Sequence, residues 1–195
     1  MHLLGYSWGA ILAQEYACKY QQHLKGLVIS GFAASAKSYE ERMQYVRTTL
    51  PAKAQQIFHD LEARNEVGNQ LWQDTMATYV FPQYFFKLSE WPEPLKRTME
   101  HLNGPLCVYF NGKNDFVIDG AMKNWDRWND LPNITVPTLV IAGEQDLLSQ
   151  DDANTMAALL LQGFVHIVPG ASHVPFYENQ QDYFQALLKF LASVK

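Results

Sequence analysis

The chain opens with a short apolar run, a glycine-rich turn and a segment whose apolar residues recur at helical spacing. The turn contains Gly5, Ser7 and Gly9, and the helical spacing continues to about Tyr20. Residues 25–31 then form an apolar, β-branched run bounded by glycines, a composition typical of a buried parallel strand. These patterns predict a strand end, a tight turn, a helix and a second strand, in that order.

The middle of the chain has a different character. From about residue 34 to residue 102, Gln, Glu, Lys and Arg alternate with aromatic residues and Leu at helical periods, and no segment has the composition of a buried strand. Pro82, Pro92 and Pro94 interrupt this region, and proline breaks the hydrogen-bond ladder of a helix. We therefore expect a helical insertion made of several short helices.

Strand and helix patterns alternate again towards the C-terminus. The predicted strands are 106–110, 138–142 and 165–168, and the predicted helices lie near 120–131, 153–161 and 180–194. Such alternation indicates a parallel sheet with crossover helices, an α/β fold split in sequence by the helical insertion. The expected division is a first core segment at 1–33, a helical cap at 34–118 and a second core segment at 119–195.

Composition and charge narrow the classes of function. The chain has 48% hydrophobic residues, and 15 Lys plus Arg against 20 Asp plus Glu give a net charge of -5. We therefore expect no nucleic-acid partner and no membrane partner, and no apolar run approaches the ~18 residues of a membrane span. Cys18 and Cys107 are too few for a zinc site or a disulfide framework, which favours a reducing, cytoplasmic setting. The histidine spacings predict no metal site, and we expect no cofactor.

The turn Gly5-x-Ser7-x-Gly9 lies between a predicted strand and a predicted helix. Glycines at these positions permit a tight turn that exposes the serine hydroxyl at the helix N-terminus, the arrangement called a nucleophile elbow. The alternative interpretation is a glycine-rich turn in which Ser7 caps the helix. The motif alone leaves both interpretations open.

Two residues that could activate a serine follow further along the chain. A serine hydroxyl is a poor nucleophile unless a base removes its proton and an acid orients that base. Asp146 lies just beyond the predicted strand at 138–142, and His173 lies just beyond the strand at 165–168. Taken singly, Asp146 could cap a helix and His173 could be an ordinary loop residue. Their order after Ser7, each following a strand, favours a Ser-Asp-His triad.

Further motifs accompany the elbow and the two loops that follow strands. The set is Gly5-Tyr6-Ser7-Trp8-Gly9, Gln14-Glu15-Tyr16-Ala17, Trp91-Pro92-Glu93-Pro94-Leu95, Asn111-Gly112-Lys113-Asn114-Asp115-Phe116, Trp125-Asp126, the segment 136–146 and Ser172-His173. On these motifs the sequence resembles the proline iminopeptidase (prolyl aminopeptidase) family of α/β-hydrolases. The resemblance implies an α/β-hydrolase fold with a helical cap. It implies Ser7 as nucleophile, His173 as general base, Asp146 as its orienting acid and the Trp8 N–H as half of the oxyanion hole.

The sequence departs from the family pattern at the site expected to bind the substrate's amino group. The family's triplet of asparagine, glutamate and phenylalanine is here Asn114-Asp115-Phe116, which keeps the charge on a shorter side chain. Related enzymes can carry a second glutamate directly after the triad aspartate, where this chain has Leu147. Asp115 and Asn114 are therefore the candidate substrate-binding residues. Of the two carboxylates that could bind an ammonium group together, this chain keeps one, at Asp115, and lacks the one at position 147.

The resemblance also implies that four strands precede the elbow, about 100 residues at ~30 residues per crossover unit. We therefore expect the chain to be a fragment, a natural C-terminal half or the product of an internal start. Such a chain would lack part of the oxyanion hole. The strand that ends at Leu4 would become a sheet edge, and the apolar strands 27–29 and 138–142 would lose packing that normally covers part of the sheet. We expect it to form a homo-oligomer or to pair with a missing N-terminal half.

The resulting hypothesis is a serine hydrolase that releases an N-terminal proline or another small residue from peptides or amides through an acyl-enzyme. One alternative is an esterase or amidase of the same fold that ignores the α-amino group. The other is a catalytically inert fragment that associates with itself. The expected partner molecule in the first two cases is a small peptide, amide or ester.

Overall fold

A parallel sheet of four strands forms the centre of the molecule. The computed structural model describes residues 1–194. The strands are β1 (His2–Tyr6), β2 (Gly26–Ser30), β3 (Thr138–Gly143) and β4 (Gly163–Val168), and they pair in chain order. β2 lies directly beside β3, with Leu27 opposite Thr138. The segment between these two strands is therefore an insertion that leaves the sheet and returns to the neighbouring position.

The two inner strands are buried along their whole length. All five residues of β2 and all six residues of β3 are buried. The expectation that 27–29 and 138–142 lose packing is therefore wrong, because helices cover both faces of the inner strands. The strand that ends at Leu4 is an outer strand of this sheet, as expected. The outer strands are partly exposed, and Leu4 of β1 is 45% exposed while Phe164 of β4 is 51% exposed.

Helices pack on both faces of the sheet. One face carries α1 (Trp8–Tyr20) and α7 (Gln150–Leu159), whose alanines lie against Leu27, Ile29 and Val140. The other face carries α8 (Pro175–Glu178) and α9 (Gln180–Ser193). Because side chains alternate between the two faces of a strand, each inner strand contributes to both apolar clusters. Because all four strands run parallel, the loops after β1, β3 and β4 lie at the same end of the sheet.

The insertion is a set of short helices with an apolar core of its own. Its elements are α2 (Ala36–Thr49), α3 (Ala52–Ala63), α4 (Gln70–Thr75), a π-helical segment (Met76–Phe85), α5 (Glu93–Glu100) and α6 (Gly104–Asn111). Phe58, Trp72 and Phe116 meet edge to face, with ring centroids 4.7 to 5.7 Å apart. We call the residues from α2 to Phe116 the cap. Its core is separate from the apolar clusters that flank the sheet.

The prediction of a strand at 106–110 is wrong, since these residues lie in α6. The side chain of Asn103 accepts a hydrogen bond from the Leu106 N–H and caps this helix, and Pro105 occupies its first turn. Both are strong helix-start signals. A five-residue apolar run does not by its pattern distinguish a strand from a helix, and here the start signals at Asn103 and Pro105 favour the helix.

The prediction of a helix at 120–131 is also wrong, since turns occupy most of this segment and a 3₁₀ turn, Leu131–Asn133, follows. Backbone groups of the segment 120–131 form hydrogen bonds with residues at and just before the start of α2. The Arg127 N–H donates to the Ala34 carbonyl, and the Trp125 carbonyl accepts from the Ala36 N–H. These bonds take the place of the i to i-4 ladder of a helix. Across residues 1–194, no helix has the length and apolarity needed to cross a membrane.

Candidate active site

Ser7 occupies a sharp turn between β1 and α1. Its backbone has φ 52° and ψ -118°, a conformation that residues other than glycine seldom adopt, and its N–H donates to the Ser30 carbonyl at 2.8 Å. Gly5 is required by packing, because a Cβ there would lie 2.1 Å from the Gly9 carbonyl oxygen. A Cβ on Gly9 would meet no atom of another segment within 4 Å among residues 1–194. The elbow therefore depends on Gly5 more than on Gly9.

The structure brings the three predicted triad residues together. His173 Nδ1 lies 2.7 Å from Asp146 Oδ1, and His173 Nε2 lies 3.0 Å from Ser7 Oγ. Asp146 is 0% exposed and His173 is 3% exposed. Because a carboxylate oxygen accepts hydrogen bonds, Nδ1–H donates to Asp146 and leaves the lone pair of Nε2 directed at the Ser7 hydroxyl.

Backbone groups hold the carboxylate of Asp146 in its orientation. The Gly143 N–H donates to Oδ2 at 3.0 Å, and the Leu148 N–H donates to Oδ1 at 3.3 Å. The N-cap residue of α7 is Ser149, whose side chain accepts a hydrogen bond from the Asp152 N–H. Asp146 is therefore not the N-cap of this helix, and its carboxylate is aligned towards His173.

The imidazole of His173 is packed among aromatic rings. Its ring centroid lies 5.1 Å from that of Tyr6 and 5.5 Å from that of Phe85. Gly31 has φ +74°, and a Cβ there would lie 2.9 Å from His173 Cε1. Burial, followed by the negative charge of Asp146, raises the pKa of Tyr6 well above its ordinary value, so its phenol stays neutral beside the imidazole.

Trp8, the predicted oxyanion donor, is the first residue of α1. The first N–H groups of a helix have no acceptor within the helix and lie at the positive end of its dipole. This N–H follows Ser7 directly and can donate to an oxygen that forms on a carbon bonded to Ser7 Oγ.

A cavity of about 440 Å³ lies between the Ser7 hydroxyl and the cap. Its wall near Ser7 is aromatic and includes Phe32, Tyr39, Phe81 and Phe85. Its lining also includes segment 111–115, with both predicted substrate-binding residues. A mostly apolar wall with a few polar groups is the usual form of a small-molecule site.

Asp115 is partly buried at this cavity, and its carboxylate Oδ2 accepts a hydrogen bond of 2.6 Å from Trp72 Nε1. Burial raises the pKa of Asp115, and the Trp72 bond opposes this rise. The Asn114 side chain bonds within the cap, where Oδ1 accepts from the Phe116 N–H and Nδ2 donates to Glu62. Asp115 is thus the better placed of the two to meet a ligand.

Several contacts at the site were not predicted from the sequence. Arg42 donates to the Asp146 carbonyl, Tyr84 accepts from the His173 N–H, and Glu178 accepts from the N–H and hydroxyl of Ser172. Arg42 and Tyr84 come from the cap, and no local pattern connects them to the triad loops. Among the described residues, no three His, Cys, Asp or Glu side chains are grouped to hold a metal ion.

The profile of the alpha/beta hydrolase fold family matches residues 1–180, and the chain belongs to that family. Among curated relatives, the proline iminopeptidase of Flavobacterium johnsoniae is 32% identical over 195 residues. That of Saccharolobus solfataricus is 33% identical over 194 residues. The alignments cover 99% and 98% of this chain but 65% and 62% of the relatives. The chain therefore spans less than two thirds of the length of these relatives.

Two solved structures are similar to this chain over almost its whole length, and the chain again spans about two thirds of each. The crystal structure of VinJ matches with a TM-score of 0.91 at 26% identity, covering 100% of this chain and 66% of that one. The proline iminopeptidase of Mycobacterium smegmatis matches with a TM-score of 0.88 at 25% identity, covering 98% and 64%. The predicted fold class and the resemblance to proline iminopeptidases are confirmed.

Proposed function

We propose that the protein is a serine hydrolase that acts through an acyl-enzyme on Ser7. The observation that carries this proposal is the continuous hydrogen-bonded series from Ser7 Oγ to His173 to Asp146, at 3.0 and 2.7 Å. These distances support the proposed roles, because the Ser7–His173 contact is short enough for direct proton transfer and the His173–Asp146 contact is short enough to orient the imidazole. The buried position of the acid and base supports the same role.

The proposed reaction has two stages. Ser7 Oγ attacks the substrate carbonyl carbon while His173 Nε2 takes the hydroxyl proton, and Asp146 stabilises the resulting imidazolium. The Trp8 N–H donates to the developing oxyanion. The imidazolium then gives its proton to the leaving amine or alcohol as the carbon–leaving-group bond breaks. In the second stage water attacks the acyl carbon while His173 Nε2 accepts a water proton. The imidazolium then returns this proton to Ser7 Oγ as the bond between the acyl carbon and Oγ breaks, which releases the carboxylic acid product and frees Ser7.

We propose a substrate with a free N-terminal amine, proline or another small residue. The Asp115 carboxylate at the cavity can pair with an ammonium group, while the aromatic wall at Phe32 and Phe85 suits a compact apolar side chain. The curated proline iminopeptidases support this choice. In this arrangement the cap selects the substrate and the core performs the chemistry.

A second candidate is an esterase or amidase of the same fold without recognition of the α-amino group. Leu147, where a second carboxylate could stand, lines the cavity and makes that wall apolar. Kinetics with proline and alanine arylamides and their N-acetylated forms separate the two. Aminopeptidase action predicts turnover of the free amines and little turnover of the acetylated forms, whereas equal rates would assign the second candidate.

We also propose that this chain works in contact with another polypeptide surface, either a second copy or a segment equivalent to the N-terminal part of its relatives. β1 is an outer strand, and its unpaired edge can accept a further strand. An inert, self-associating fragment is the rival proposal from the same observation. A reducing, cytoplasmic location fits the free thiols of Cys18 and Cys107.

A further inference from the structure

Arg42 of α2 connects the cap to the loop that carries Asp146. Its Nε donates a hydrogen bond of 2.9 Å to the backbone carbonyl of Asp146, a residue 104 positions away in the sequence. The side chain of the same Asp146 bonds to His173. Arg42 therefore holds the main chain of the residue that orients the imidazole.

Two tyrosine rings hold the guanidinium group of Arg42 in place. Its central carbon lies 5.2 Å from the centroid of Tyr45 and 5.5 Å from that of Tyr84. The Tyr84 hydroxyl and Thr49 Oγ1, at the end of α2, form a hydrogen bond of 2.8 Å. A planar cation between aromatic faces is a preorganised donor, so Nε is directed at the carbonyl with little freedom.

Tyr84 also contacts the loop that carries the base. Its backbone carbonyl accepts a hydrogen bond of 3.2 Å from the N–H of His173. The cap thus touches the main chain of the acid through Arg42 and the main chain of the base through Tyr84. Because the guanidinium packs on the Tyr84 ring, these two contacts form one connected unit.

We propose that Arg42 is a positioning residue that couples the cap to the geometry of the Ser7-His173-Asp146 triad. This inference rests on the proposed serine hydrolase function. Arg42 does not line the cavity at Ser7 but a separate polar cavity between α2 and the start of α7. Its effect on the reaction is therefore exerted through Asp146 and not through contact with a substrate.

The test replaces Arg42 with Met, which keeps an unbranched apolar stem between the tyrosines and removes the donor. A small displacement of a catalytic group costs on the order of 10- to 100-fold in rate. We expect kcat for ester or arylamide hydrolysis to fall by about this factor, with KM changed less than about threefold. Lys37→Met is the matched control, because it removes one positive charge from the same helix, where Lys37 forms an exposed ion pair with Glu41.

Arg42→Lys provides a second variant in case Arg42→Met does not fold. Lysine keeps the charge but has a methylene group where arginine has Nε, so the bond to the Asp146 carbonyl is lost in its present geometry. We expect this variant to lose kcat as well. A kcat equal to that of the wild type in either folded variant would overturn the proposal.

A spectroscopic measurement separates this inference from the proposed function. The Nδ1 proton of His173, observed by NMR in protein with ¹⁵N-labelled histidine, reports the bond to Asp146 whether or not the protein turns over a substrate. Arg42→Met should shift or broaden this signal, and Lys37→Met should not. If the wild type hydrolyses nothing and is not labelled at Ser7, the proposed function fails, and an unchanged Nδ1 signal in Arg42→Met would separately refute the role of Arg42.

Discussion

The carboxylate of Asp115 and the indole N–H of Trp72 form a hydrogen bond of 2.6 Å at the wall of the cavity that contains Ser7. Trp72 is fully buried in the aromatic core of the cap. The carboxylate is thus fixed to the rigid centre of the cap, although burial raises its pKa. Burial destabilises the charged form of Asp115, and a carboxylate at such a position indicates a functional role. The role that we propose is pairing with a substrate ammonium group.

Asp115→Asn should selectively impair substrates with a free amine. Asparagine can still accept the Trp72 bond but carries no charge for an ammonium group. We expect kcat/KM for proline arylamide to fall about 30-fold or more, equivalent to ~2 kcal/mol, the lower end for a buried charge pair. Rates with an N-acetylated substrate or a simple ester should change little. Equal loss on blocked and free substrates would assign Asp115 a purely structural role.

The same substitution should stabilise the protein at neutral pH. Because the pKa of Asp115 is raised by burial, the folded state binds more protons than the unfolded state between the two pKa values. The free energy of unfolding therefore falls as pH rises through this window, and the penalty is fully present above the raised pKa. Urea denaturation should show Asp115→Asn more stable than wild type at pH 7, with the difference disappearing below the ordinary pKa of an aspartate. Lower stability of this variant at pH 7 would contradict the burial argument.

The two glycines of the elbow should respond differently to alanine. A Cβ on Gly5 would lie 2.1 Å from the Gly9 carbonyl oxygen and 2.6 Å from the Ala13 Cβ, so helix and strand must separate. We expect Gly5→Ala to cost about 1–3 kcal/mol or more. Gly9→Ala, in the first turn of α1, should be neutral or stabilising by up to ~1 kcal/mol. Thermal denaturation followed by circular dichroism measures both, and equal destabilisation would contradict this account of the turn.

The ion pair between Arg47 and Glu62 should stabilise the cap. The two terminal guanidinium nitrogens of Arg47 donate to the carboxylate oxygens of Glu62, at 2.8 and 2.7 Å, and these bonds lower the pKa of Glu62. We expect Glu62→Gln to lower the free energy of unfolding by about 1 kcal/mol. This value is at the upper end for solvent-accessible ion pairs, because the Arg47–Glu62 pair is bidentate. Glu41→Gln is the control, because it removes an exposed ion pair in which Lys37 Nζ lies 3.6 Å from Glu41 Oε1. We expect this variant to leave the free energy of unfolding almost unchanged.

The stabilisation by Glu62 should depend on pH in a defined direction. A lowered pKa means that the folded state binds fewer protons, so the contribution is present above the unfolded pKa and is lost as pH falls through the folded pKa. The difference between wild type and Glu62→Gln should therefore shrink in acid. A difference that is constant from pH 7 into the acid range would show that the charge is not its source.

The exposed edge at β1 should make the chain associate when it is prepared alone. Leu4 on this strand is 45% exposed, and unpaired strand edges pair with other chains. We expect sedimentation velocity at micromolar concentration to show species larger than a monomer, and Leu4→Lys to reduce them. Leu71→Lys, at a residue 51% exposed on α4, is the control and should not. A monomeric wild-type chain with full aminopeptidase activity would contradict the proposed need for another polypeptide surface.

The core of the fold and the triad geometry could be predicted because their signals are local. β2 and β3 are short apolar runs between turns, and the positions of Asp146 and His173 just beyond strands determine where they lie in a parallel sheet. The segment 106–110 could not be assigned by periodicity, because five apolar residues fit either structure. The contact between Arg42 and Asp146 depends on how the cap packs, which no local pattern encodes. The catalytic roles and the division at residues 34 and 118 stay predictions.

Reaction with a fluorophosphonate, followed by peptide mass spectrometry, tests directly whether Ser7 is the nucleophile. The geometry of Ser7 Oγ and His173 Nε2 predicts one covalent adduct, on the peptide that contains Ser7. Ser7→Ala should give no adduct and lose turnover by on the order of a million-fold, the loss seen for such triads, while Ser89→Ala on the cap surface should react as wild type. Absence of an adduct on Ser7, or equal labelling of Ser7→Ala, would contradict the assignment of Ser7 as the nucleophile.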